Sequence, residues 1–231
     1  MRSRGRRRGS PALSRLAADE RRNCLILDDV VRAVEEKRSP ILLTERKDHL
    51  EDLATRLRPF VKHLVVLRGG MTPSERREVV AQLGSIPDSE PRLVVATGRY
   101  IGEGFDDARL DTLFLTMPVS WKGTLIQYAG RLHRLHPAKT EVRIYDYVDR
   151  QIPLFVRMFE KRLRGYRAIG YARDQASLGD DVHSGELIDS PSTTKTPEVG
   201  DEAKPRRSSR PGSARRRRSV RVSGFNGDAL T

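Results

Sequence analysis

The sequence predicts an α/β fold: a parallel sheet with helices on both faces, followed by a tail that builds no core. Three observations lead there. Five short apolar runs recur after residue 40, at 41–44, 64–67, 93–97, 113–116 and 142–145. They are continuously apolar rather than alternating, as strands buried on both sides are. The stretches between them read as helices or loops, and several are long enough for the crossover connections that parallel strands require.

The elements follow in order. Residues 28–37 read as a helix that turns Val30, Val31 and Val34 inward ahead of the first strand. Residues 46–57 place Leu50, Leu53, Ala54 and Leu57 at helical spacing. Thr72-Pro73-Ser74-Glu75 opens the next helix, with Thr72 as N-cap and Pro73 in the first turn, where its missing N–H is harmless. After the last strand, 153–172 reads as a long helix whose Leu154, Met158, Lys161 and Leu163 give a mixed face. Beyond residue 174 the composition turns to Ser, Pro, Thr, Gly and charge, with Phe225 the sole aromatic, so disorder is expected there. Three segments result: a basic arm and lead-in over 1–20, a folded unit over 21–173, and a Ser/Pro/Arg-rich tail over 174–231.

The net charge of +13 belongs to the ends. Residues 1–10 hold five arginines and no acid, and residues 204–221 hold nine Lys or Arg and no acid, which leaves the rest of the chain close to neutral. Blocks of this kind serve as arms that bind nucleic acid or acidic partners by counterion release. A single cysteine, Cys24, excludes an internal disulfide, and without a CxxC or His/Cys grouping no metal site is expected. No apolar run approaches the roughly 18 residues that span a bilayer, and charges break residues 11–22 where a secretory signal would be apolar. A cytoplasmic protein without a membrane partner is the expectation.

Two stretches carry chemistry. In Gln127-Tyr128-Ala129-Gly130-Arg131-Leu132-His133-Arg134, the residues Gln127, Gly130, Arg131 and Arg134 share one helical face. Leu125, Ala129, Leu132 and Leu135 are expected to cover the opposite face, so two guanidinium groups point together at one anion. The second stretch runs from Thr97-Gly98 through Gly102-Glu103-Gly104-Phe105-Asp106, directly after a strand. Glycines past the carboxyl end of a parallel strand let backbone approach a phosphate or ribose, with Asp106 accepting from a sugar hydroxyl. The same residues equally suit a tight turn in which Asp106 caps a short helix. His49, His63, His136 and His183 are scattered and suit surface or capping roles, and Trp121 suits a packing anchor more than a base-stacking platform.

Taken in order, the strand 41–44 with Glu45-Arg46, the turn Leu67-Arg68-Gly69-Gly70-Met71, the glycine-rich run to Asp106 and Gln127-x-x-Gly130-Arg131-x-x-Arg134 resemble motifs IV, IVa, V and VI of superfamily 2 helicases. The likeness covers roughly residues 24–150 and corresponds to the second, C-terminal RecA-like lobe of the DEAD/DEAH-box type, a P-loop NTPase-type fold. Glu103 and Phe105 depart from the commonest DEAD-box wording and bring the chain nearer the DEAH and restriction-type relatives.

The resemblance implies that Arg131 and Arg134 are arginine fingers, that Gln127 positions nucleotide or attacking water, and that Gly130 permits close approach. It implies that Gly102, Gly104 and Asp106 meet the nucleotide, and that Thr44, Gly69, Gly70 and Thr97 meet a nucleic-acid backbone, DNA being the expected kind. The chain has no GxxxxGK[ST] loop and no DExx box after a suitable strand. ATP and Mg2+ are thus expected to be shared with a companion ATP-binding lobe, and the chain alone is not expected to hydrolyse ATP. An ATP-independent nucleic-acid-binding module and a non-functional helicase fragment are the rival readings.

Overall fold

The computed structural model describes residues 10–98, 107–119, 125–173 and 217–225. Helices α1 (Pro11–Ala18) and α2 (Glu20–Glu35) lead into β1 (Pro40–Thr44), α3 (Lys47–Leu57), β2 (Leu64–Leu67), α4 (Pro73–Ser85), β3 (Leu93–Thr97) and β4 (Thr112–Leu115). Then come α5 (Ile126–Leu132), β5 (Glu141–Asp149), α6 (Pro153–Ala168), β6 (Ala172–Arg173) and β7 (Arg217–Phe225).

The strands form one sheet in the order β2-β3-β1-β4-β5-β7-β6, and every neighbouring pair is parallel. Alternate residues divide its two faces. Leu42, Val95, Phe114, Tyr145 and Tyr147 pack with Ile26 and Val30 of α2 and Leu50, Leu53 and Leu57 of α3. Ile41, Leu43, Val94, Leu113 and Ile144 pack on the other side with Leu83 of α4, Tyr128 and Leu132 of α5 and Tyr166 of α6. The expected two-sided parallel sheet is therefore the fold, RecA-like in architecture. Thr72 caps α4 in a reciprocal box with Glu75, as the Thr-Pro-Ser-Glu wording predicts. Among the described residues no helix is long and apolar enough to cross a membrane.

Three elements differ from expectation. The chain turns helical at residue 11 rather than 28, because Leu16 and Ile26 find tertiary partners that the intervening charges conceal in the sequence. In α6 the inward residues are Phe155, Arg162 and Tyr166, while Leu154 faces outward, and the helix ends at Ala168. The tail is also corrected: residues 217–225 form β7, paired along all nine residues of β5. Val220 and Val222 alternate into the core beside Ile144, and the strand covers an edge that would otherwise leave β5 unpaired. Two valines among three arginines carry little signal until a nine-residue partner edge exists to receive them.

Candidate functional site

Parallel α/β sheets bind ligands outside the carboxyl ends of their strands, and the motif residues collect at that edge. Glu45 follows β1, Gly69 and Gly70 follow β2, Gly98 follows β3, and Tyr128 reaches in from α5. The Tyr128 hydroxyl donates to the Gly98 carbonyl oxygen, joining the helix to the end of β3. A Cβ on Gly98 would stand 2.5 Å from Glu45 Oε1 and 3.2 Å from the Tyr128 hydroxyl, so only glycine leaves both groups in place. Burial raises the pKa of Glu45. Burial raises that of Tyr128 as well, and the Glu45 charge adds to this while Arg131 opposes it.

Helix α5 buries Tyr128, Ala129 and Leu132 and leaves Gln127 and Gly130 exposed, with Arg131 half-buried. The helix stops at Leu132, two residues before Arg134. His133 caps it, and Arg134 follows through an N–H bond to the Arg131 carbonyl at 3.2 Å. Arg134 is exposed, as Gln127 and Gly130 are, although it lies past the end of the helix. The other face is corrected at one position: Leu135 lies past the cap and is 82% exposed, while Tyr128 is buried with Ala129 and Leu132. Nothing lies within 4 Å of a Cβ built on Gly130.

The residues expected along a nucleic-acid backbone divide into two groups. Thr44 is buried, 1% exposed, and its hydroxyl bonds His49 Nδ1 at 3.0 Å, so its side chain is not a surface contact. Thr97 accepts from the Gly69 N–H at 3.0 Å, which ties the β2 turn to the end of β3. Gly70 lies beside it with φ 91°, a conformation that favours glycine, and Lys47 Nζ is 4.0 Å from where its Cβ would be. Gly102, Gly104, Asp106 and Trp121 lie outside the described residues.

Several residues escape a motif reading. His49 is buried rather than at the surface: its Nε2 meets Asn23 Oδ1 at 3.1 Å, and Asn23 Nδ2 donates to the Ala17 carbonyl at 2.9 Å. Burial and the neighbouring Arg22 charge hold its pKa down to about 4. Asp146 takes a bidentate bond from Arg162, at 2.7 and 2.8 Å, and a third from the Tyr166 hydroxyl at 3.0 Å. Arg162 also donates to the Val119 carbonyl at 2.8 Å and so fixes the approach to α5. The buried Lys139 ammonium donates to the carbonyls of Leu132 and Arg134, closing the end of α5 where the helix dipole favours a cation. These polar residues carry the wording of solvated positions, and no periodic signal marks them.

Residues 23–136 match the family model for the helicase conserved C-terminal domain. Among solved structures, UvsW of T4 superposes with a TM-score of 0.56 at 15% identity, over 71% of this chain and 36% of UvsW. The C-terminal part of the Fun30 ATPase domain gives a TM-score of 0.51 at 13% identity, over 60% of this chain and 44% of that one. The chain thus spans less than half the length of either structure, and at these identities the likeness is one of fold. No curated protein matches the chain in sequence. The family model over 23–136, the described motif residues at the carboxyl edge and the two-sided parallel sheet agree, and this part of the chain is similar to the helicase conserved C-terminal domain.

Proposed function

We propose that this chain supplies the second lobe of an ATP-dependent nucleic-acid helicase or translocase, with Arg131 and Arg134 as arginine fingers acting on a nucleotide held by a companion lobe. Gly130 carries this reading. A glycine inside a helix costs about 1 kcal/mol against alanine, and among the described residues none outside the helix's own backbone lies close enough to require one here. The space over it, flanked by Gln127 and Arg131, suits close approach by something outside the chain.

The site suits a polyphosphate. Planar guanidinium forks donate to phosphate oxygens two at a time, and charge developing on a transferring phosphoryl group is stabilised by roughly 10³–10⁵ in rate when such a finger is in place. Gln127 would orient nucleotide or water, and Asp106 with Gly102 and Gly104 would meet the ribose and phosphates. The donors on this face are cationic and amide groups, which fit phosphate and not a metal, so Mg2+ would enter on carboxylates of the companion lobe. Gly69, Gly70 and Thr97 form the turn that would follow a DNA or RNA backbone, without sequence preference.

The test is to combine the chain with a polypeptide carrying a Walker-type loop and measure ATP hydrolysis with and without single-stranded DNA or RNA. Stimulated hydrolysis that falls at least a hundredfold in Arg131→Ala is the expected result. Hydrolysis indifferent to Arg131→Ala would sink the finger assignment. Salt-dependent strand binding without any such hydrolysis would favour an ATP-independent binding module instead.

A further inference from the structure

We propose that Arg22 forms the floor of a phosphate-binding site at the carboxyl edge of the sheet, closed in this conformation by helix α1. Arg22 lies in the first turn of α2 and is 0% exposed. Among the described residues, none of its three guanidinium nitrogens has a hydrogen-bond partner. The Tyr147 ring lies 5.8 Å from its guanidinium carbon, on the part of β5 that projects past the end of β4.

A buried guanidinium without acceptors is costly, because five donors lose water and gain nothing. The burial is felt in a pKa lowered to about 10. Three carboxylates surround the group at longer range, and each has its own donor. Asp146 is held by Arg162 and Tyr166, Asp19 accepts from the Arg22 backbone N–H, and Asp149 accepts from the Gln151 N–H. His49, on the facing helix, is held neutral. The unused donor set is a planar fork, which matches a phosphate better than any neutral ligand.

The cover is α1. Leu16 packs with Met117 and Phe155, beyond the ends of β4 and β5. Few polar ties hold it: Ser14 Oγ accepts from Arg46 at 3.0 Å, and the Ala17 carbonyl accepts from Asn23. The Asn23 tie continues through His49 to Thr44, so the cover is linked to the end of β1. Displacing α1 opens a path to Arg22 without disturbing the sheet. This site is separate from Arg131 and Arg134, and its fate does not depend on the finger assignment.

The experiment is thermal denaturation and hydrogen exchange of the full chain in sodium pyrophosphate against sodium chloride at equal ionic strength, for wild type, Arg22→Met and Arg22→Lys. The wild type is expected to gain roughly 2–8 °C in pyrophosphate and to lose protection in α1. Arg22→Met is expected to melt at or above the wild type in chloride and to show neither response, and Arg22→Lys, which keeps the charge without the fork, to respond more weakly. Competition by ADP or by an unphosphorylated thymidine oligonucleotide then assigns the phosphate to a nucleotide or to a nucleic-acid backbone. An unresponsive wild type, or an equal response in Arg22→Met through the arginine tails, overturns the proposal.

Discussion

Tyr128 donates its hydroxyl proton to the carbonyl oxygen of Gly98 and so locks the helix that carries Arg131 to the end of β3. The bond is buried, and it joins two motifs thirty residues apart. Tyr128→Phe keeps the ring and leaves the carbonyl without its donor. A loss of about 1–3 kcal/mol in urea unfolding is expected, together with faster hydrogen exchange in α5.

Gly130→Ala should act in the opposite sense on stability. The position is helical and open, so the added methyl meets no neighbour and the unfolded chain loses freedom. A gain of about 0.5–1 kcal/mol is expected in the same unfolding measurement. Under the finger reading, the substitution also lowers ATP hydrolysis with a companion lobe, giving a variant that is more stable and less active.

The Asp146–Arg162 pair is 1% exposed on both sides, so breaking it leaves a buried charge. Arg162→Leu should cost about 3–5 kcal/mol, whereas replacing both residues by apolar ones of similar volume should cost much less. A double-mutant cycle measures the difference. Equal losses in the single and double variants would mean that packing, not charge, holds α6 to β5.

Acid should weaken the fold through His49. Its folded pKa of about 4 lies below the ordinary value of 6.5, so the unfolded chain binds the proton more readily. The contribution to stability is fully present above pH 6.5 and is lost as pH falls toward 4, at no more than about 1.4 kcal/mol per unit. His133, also held near 4 by burial and the charges of Arg218 and Lys139, adds in the same direction. Melting temperature should therefore fall between pH 7 and pH 5, and fall less steeply in His49→Gln.

Removal of residues 217–231 takes away β7 and exposes the edge of β5. The shortened chain should melt lower and aggregate more, because Ile144 and Val148 then border an unpaired strand. Light scattering during thermal denaturation checks this. A shortened chain as stable and soluble as the whole would mean that β7 adds nothing to the sheet in solution.

The apolar runs are legible because they repeat at a fixed spacing, and periodicity needs no knowledge of the partner. Val94 and Val95 declare a two-sided strand wherever the neighbouring strands lie. The ordered motif residues likewise name the helicase family from their spacing. Arg22, His49, Asp146, Arg162 and Lys139 are not legible in this way. Each is a polar residue whose burial is set by tertiary packing, and a single charged letter reads the same whether it meets water or a buried partner.

Local spacing was enough to give the two-sided parallel sheet and the helicase-type motifs, since both repeat or recur at fixed intervals along the chain. Tertiary structure alone decided that Thr44 turns inward to His49, that Leu135 escapes the core past the cap of α5, and that a stretch of the basic tail becomes β7. Those outcomes follow from the folded surroundings, where the free energy of a polar group or an edge strand depends on the partner that folding brings to it.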